Sequence, residues 1–180
     1  MALGAVEFDS IARGIEATDR MVKAARVRLV AMRSLCPGKV WSAVVGDTAE
    51  VGTAVSAAAE AGRGAVVEAI VIPEVHPDVY PAMLGATRVE RRDAVGVVET
   101  TNPTAAILAA DAAAKAAEVT LVEIRLSTGL CGRGYVSLAG EEEAVKAALS
   151  AGAGVARRRG ALLAIAFIPK PDESVIAKMA

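Results

Sequence analysis

The chain has 180 residues, 54% of them hydrophobic but only 3% aromatic, so its apolar content is mostly Ala and Val. That length suffices for two small α/β domains of about 90 residues each. A net charge of −1 gives no electrostatic case for nucleic acid or an anionic membrane surface, and no apolar run approaches the roughly 18 residues of a membrane helix. The opening Met1-Ala2-Leu3-Gly4-Ala5-Val6-Glu7 lacks the basic start and apolar stretch of a signal peptide, so the two cysteines read as reduced thiols in a cytosol.

A first strand over 3–8 alternates Leu, Ala and Glu on an outer face with Gly, Val and Phe on an inner one. A helix over 10–25 follows, with Ser10 as its N-cap. Strands are predicted over 27–33 and 39–45. The second helix opens at Asp47, whose carboxylate is placed to accept from the Glu50 N–H while the Glu50 side chain reaches back, an Asp form of the capping box. It runs to 61, turns through Gly62-Arg63-Gly64, and gives way to a strand over 65–72. In the second half the matching pieces fall at 94–99, 103–116, 119–127, 133–139, 141–150 and 161–168. Asn102-Pro103 marks the helix start there, a capping amide before a proline whose missing N–H costs nothing at that position. Arg157-Arg158-Arg159, the one basic cluster, reads as a solvated loop before the last strand.

Sliding the chain over itself by 92 positions explains this recurrence. Of the 32 pairs from Ala2/Ala94 to Arg33/Arg125, 14 are identical, among them Glu7/Glu99, Asp19/Asp111 and Lys23/Lys115. The offset becomes 94 from Gly38/Gly132 to Gly46/Gly140 and 96 from Pro73/Pro169 to Met83/Met179. Two residues are thus inserted between the second and third strands of the second half, and two more before its last strand, both in positions expected to be loops. A repeat this long is a whole domain. The order βαββαβ is the ferredoxin-like arrangement, an antiparallel sheet with two helices on one face. The domains are drawn at 1–85 and 94–180, with the polar segment 86–93 as linker.

The strings Val22-Lys23-Ala24-Ala25-Arg26-Val27-Arg28-Leu29-Val30, Gly4-Ala5-Val6-Glu7, Gly46-Asp47 and Ile168-Pro169-Lys170-Pro171 resemble the shell domains of bacterial microcompartments. Both halves match and keep the family order, so the chain resembles a tandem-domain member that is not circularly permuted. The resemblance implies a homotrimer whose six domains form a pseudohexamer, a tile that associates with other shell proteins in the microcompartment shell within the cytoplasm. It places a central pore at residues 35–39 and 130–134, lined by Leu35, Cys36, Pro37 and Gly38 and by Leu130, Cys131 and Gly132. It places the lattice edge at Lys23, Lys115 and Lys170, with Glu74 where the first half would carry the basic residue.

Leu35-Cys36-Pro37-Gly38-Lys39 is the most specific string. It resembles the pore loop of shell proteins of propanediol-utilisation microcompartments that hold an iron–sulfur cluster on the threefold axis, which implies Cys36 as the metal ligand. A soft thiolate suits iron and sulfide, and three copies meeting on an axis need no CxxC spacing within one chain. Three thiolates would hold a [3Fe–4S] cluster, or a [4Fe–4S] cluster with another ligand on one iron. Lys39 would add positive potential to such a cluster or point away along the strand. The alternative is a thiol at a narrow pore with nothing bound. Cys131 departs from the family pattern, which has glycine there, and leaves three readings: an extra ligand, a competing metal site, or a lining of the rim.

His76, the single histidine, reads as a partly exposed loop residue, and Trp41 as packing. Glu7 and Glu99 have no acid/base partner at suitable spacing, and no nucleophile elbow, phosphate loop or dinucleotide fingerprint occurs. An enzyme is therefore not expected. The opening would serve either as a conduit for small metabolites or as a seat for a cluster that passes electrons across the shell. Outside this family, the fold would suit a trimeric cytosolic sensor of a small ligand.

Overall fold

The computed structural model describes residues 1–87, 93–126 and 129–175. Part of the connector, 88–92, the predicted strand end Ser127, its neighbour Thr128, and 176–180 lie outside the described residues. The chain forms two compact units, Met1–Val75 and His76–Ala180.

The first unit runs β1 (Ala2–Phe8), α1 (Ile11–Ala24), β2 (Arg28–Leu35), β3 (Lys39–Gly46), α2 (Thr48–Ala61) and β4 (Val66–Ile72). Its sheet has the order β2-β3-β1-β4 with every pair antiparallel. Ser10 caps α1 through the Arg13 N–H, and Gly14, Ala17, Thr18 and Met21 form its buried stripe. Gly14 permits a close approach of helix to sheet, since a Cβ there would clash with Val40 Cγ1.

The second unit begins with a short helix, α3 (Val79–Met83), followed by β5 (Ala94–Thr100), α4 (Pro103–Ala116), β6 (Thr120–Leu126), β7 (Gly134–Gly140), α5 (Glu142–Arg158) and β8 (Leu162–Pro169). The sheet order β6-β7-β5-β8, again antiparallel, repeats the first. Two ferredoxin-like βαββαβ units in tandem are therefore the fold. Residues 76–87 belong to the second unit although in the repeat they follow the first half.

Several expectations are corrected. The face of β1 expected to lie outside is buried: Leu3 and Glu7 are 0% exposed, and Trp41, Ala43, Ile70 and Ile72, which share that face on the neighbouring strands, are buried with them. The capping box at α2 does not form. Asp47 accepts from the Ala49 N–H at 3.0 Å, and Glu50 instead accepts from the Arg26 N–H at 2.7 Å, fastening the segment that enters β2. The second insertion lies in a helix, not a loop. α5 extends to Arg158 and not 150, which turns Arg157 and Arg158 from a loop into the last turn, with Arg159 at the C-cap. Cationic side chains there, and Glu142 and Glu143 in the first turn, complement the helix dipole.

α5 passes close to α4 at Gly152, where a Cβ would lie 2.8 Å from the Ala109 carbonyl oxygen. Backbone cannot rotate away as a side chain can, so Gly152→Ala is expected to destabilise the protein by about 1–3 kcal/mol. Urea unfolding measures this, and an unchanged midpoint would show that the two helices separate without cost.

Candidate functional site

The tip of the first hairpin is set by its register. Leu35 pairs with Lys39, so the chain reverses through Cys36, Pro37 and Gly38. Leu35 is buried and anchors the strand end, whereas Cys36, Pro37 and Gly38 are exposed. The Cys36–Pro37 peptide is cis and Gly38 has φ of 66°. Nothing lies within 4 Å of where a Gly38 Cβ would be, so the turn is open at that glycine.

The second hairpin has the expected longer tip. Ser34 pairs with Val40 and encloses 35–39, whereas the matching pair Leu126 and Gly134 encloses 127–133, two residues more. Leu130 is half-buried, and the Arg133 N–H donates to its carbonyl at 3.1 Å. Cys131 is exposed at φ of 50° and Gly132 has φ of 90°. Glu99, Leu130, Cys131, Arg133 and Tyr135 surround an open hollow of ≈ 360 Å³. Neither cysteine is in a disulfide.

The charges behind the two tips differ. Lys39 Nζ lies 2.7 Å from Glu7 Oε1, and the Glu7 side chain is 0% exposed. Lys39 is thus held back at the sheet and does not stand as an uncompensated cation beside Cys36. The equivalent pair, Arg133 and Glu99, is 3.1 Å apart and open to solvent. Next to it on β7, the Tyr135 hydroxyl donates to Glu123 Oε2 at 2.6 Å, and Arg125 Nε donates to Glu123 Oε1 at 2.7 Å. Burial first, then the bond to Glu123, pushes the Tyr135 phenol above its usual pKa, so it remains a neutral donor. The Arg125 guanidinium is raised chiefly by its bond to Glu123. These groups brace the base of the longer tip and offer no acid/base pair.

The two predicted edge lysines occupy the same place in their units. Lys23 ends α1 and bonds Asp19 Oδ2 at 2.6 Å; Lys115 ends α4 and bonds Asp111 Oδ2 at 2.7 Å. Both helices then stop at an alanine in extended conformation, with φ of −155° at Ala25 and −156° at Ala117. The pairing aspartates are legible in hindsight as repeated residues four positions before each lysine. Lys170, exposed after β8 at φ of 46°, donates its N–H to Asp93 O at 2.8 Å. His76 is a half-buried loop residue whose N–H donates to Asp111 Oδ1 at 2.8 Å. Trp41 is fully buried on β3.

Among the described residues, no three His, Cys, Asp or Glu side chains are grouped to hold a metal ion. A cluster bound through Cys36 would take its ligands from several copies of the chain. The donor chemistry fits such a group: Cys36 is a soft sulfur donor on an exposed hairpin tip.

A profile of the BMC domain matches residues 2–75 and again 94–171. Over 178 residues the chain is 38% identical to the bacterial microcompartment shell protein PduT of Citrobacter freundii, covering 99% of this chain and 97% of that protein. It is 44% identical over 86 residues to the bacterial microcompartment shell protein PduA of Salmonella typhimurium, which covers 47% of this chain and 88% of that one. A crystal structure of a microcompartment protein from Desulfitobacterium hafniense DCB superposes with a TM-score of 0.92 at 39% identity, covering 98% of both chains.

Proposed function

The chain belongs to the bacterial microcompartment shell proteins, with two BMC domains in tandem, and from this premise we propose that it forms a homotrimeric facet tile whose six domains surround a central opening. As a member of that family it is a structural component of the microcompartment shell within the cytoplasm, not an enzyme. The opening is lined by Leu35, Cys36, Pro37 and Gly38 from the short tip and by Leu130, Cys131 and Gly132 from the long one. Lys23, Lys115 and Lys170 lie on the edges that meet neighbouring tiles.

The observation that carries the finer reading is the exposed thiol of Cys36 on an open hairpin tip. Three Cys36 thiolates, one from each chain, hold an iron–sulfur cluster, which when bound supplies one-electron transfer across the shell. The chain's own contribution is to present the thiolate at a fixed turn and to keep Lys39 paired away from it. Cys131 is a second soft donor on the longer tip. The same open surroundings of Gly38 suit a plain conduit for small metabolites, the second reading.

Anaerobic reconstitution with iron and sulfide separates the two. Wild-type protein is expected to turn brown with broad visible absorption, Cys36→Ser to stay colourless as an intact trimer, and Cys131→Ser to keep its colour. Colourless wild-type trimers whose Cys36 thiols remain titratable would leave the conduit reading alone.

A further inference from the structure

The two halves end in the same turn. Glu74 and Lys170, at matching positions after β4 and β8, both have positive φ, 50° and 46°. Two residues on, His76 Nδ1 accepts from the Asp78 N–H at 3.4 Å, and Asp172 Oδ1 accepts from the Ser174 N–H at 2.9 Å. The Val79 N–H then donates to His76 O at 3.1 Å, and the Val175 N–H to Asp172 O at 3.0 Å. In the first half this turn launches α3. In the second it leads into Val175-Ile176-Ala177-Lys178-Met179, which stands at the repeat positions of Val79-Tyr80-Pro81-Ala82-Met83.

α3 has a seat. It packs on β6, Val79, Ala82 and Met83 are buried, and on β6 Leu121 and Ile124 are 0% and 2% exposed. Ahead of α3, the His76 N–H bonds Asp111 Oδ1 while Lys115 holds Oδ2. The matching strand β2 carries no such helix among the described residues. Its Leu29 and Met32, equivalents of Leu121 and Ile124, are 40% and 47% exposed. Asp19, the equivalent of Asp111, is bonded through Oδ2 to Lys23, and among the described residues its Oδ1 accepts nothing. Val175 itself is 48% exposed.

The segment after the first half packs on the half that follows it. After the second half, the next half is the first half of another copy. We infer that the segment opening with Asp172–Val175 docks on β2 of a second copy of this chain, at the place that α3 holds on β6, covering Leu29 and Met32 and bringing the Asp172 N–H to the unused oxygen of Asp19. Apolar burial supplies the attraction and the backbone bond to a carboxylate fixes the register. This arm rests on the self-association proposed above and adds the contact that links one subunit to the next.

The test uses the full chain with Cys36 and Cys131 replaced by Ser and a single thiol introduced by Met32→Cys, with the rate of maleimide alkylation and the sedimentation state read on the same samples. In full-length trimers the introduced thiol is expected to react about tenfold more slowly than in protein lacking 172–180 or carrying Val175→Asp. Slow reaction in the full-length protein, with trimers lost but folding retained on truncation, supports the arm as well. Equal rates in intact trimers overturn the arm and leave the trimer standing, whereas a full-length monomer overturns both.

Discussion

Replacing Lys39 with methionine is expected to destabilise the protein by about 3–5 kcal/mol, more than any other single charge removal in the hairpins. Glu7 sits on β1 inside the first sheet with its side chain 0% exposed, and Lys39 Nζ at 2.7 Å is the cation that compensates it. Its second oxygen, Oε2, has no hydrogen-bond partner among the described residues. Removing the lysine leaves a buried carboxylate without its cation, and folding bears the cost of keeping that charge desolvated or of neutralising it by protonation. The repeat contains its own control. Arg133→Met breaks the equivalent pair, but there the side chains are 58% and 37% exposed, so the loss is expected to stay below about 1 kcal/mol. The double variant Glu7→Leu with Lys39→Met removes both charges and is expected to recover most of the stability. Thermal unfolding at one fixed protein concentration reads all three. A Lys39 variant no weaker than the Arg133 variant would show that Glu7 is solvated in the folded protein.

Lys23→Ala together with Lys115→Ala is expected to abolish the joining of tiles into sheets while the folded trimer persists. The Lys23–Asp19 pair is an exposed i,i+4 bond worth about 0.3–0.5 kcal/mol, whereas the Asp111 side chain is 10% exposed and loses a charged hydrogen bond worth about 1.5–3 kcal/mol while keeping that from the His76 N–H. With these lysines at the proposed edges, sheet formation is expected to respond far more strongly, because each tile would use the contact repeatedly and small losses multiply through a lattice. Long cationic stems can lie along a neighbouring surface and donate to its carbonyls, a geometry the pairing aspartates would pre-orient. The edges are chemically unequal, since Glu74 stands where Lys170 stands in the other half. Electron micrographs showing unchanged sheets from the double variant would reject these lysines as edge contacts.

What the sequence disclosed depended on whether the deciding contacts were local. α4 is found at Pro103–Ala116 as read from the sequence, because Asn102 and Pro103 define its start, with Asn102 Oδ1 taking the Ala105 N–H at 2.8 Å. α5 is longer than read, because Gly152 and its neighbouring glycine argue locally for an end. Gly152 is instead the place where α5 approaches the backbone of α4, a demand set by tertiary packing. Glu50 has the spacing of a capping partner, yet its carboxylate goes to Arg26, an N–H brought there by another segment. α3, with Pro81 inside five residues, has little helical signal of its own and is recognised by its burial against β6. For the site, the turn at Cys36 is legible because Pro37 and Gly38 can only serve a tight reversal. Which side chain answers Lys39 is not, since Glu7 reaches it across the sheet from 32 positions away.

The unequal hairpin tips, 35–39 against 127–133, alter what a mutation can do. In a ring built from six copies of one domain, any change at the rim is imposed six times at once, and a bulky or reactive side chain must tolerate five images of itself. A trimer of this chain applies the same change three times, on alternating positions, while the intervening tips keep another length and another chemistry. In the proposed arrangement a thiol such as Cys36 is repeated three times by a change in one half of the chain alone, with the other half free to preserve the spacing of the ring.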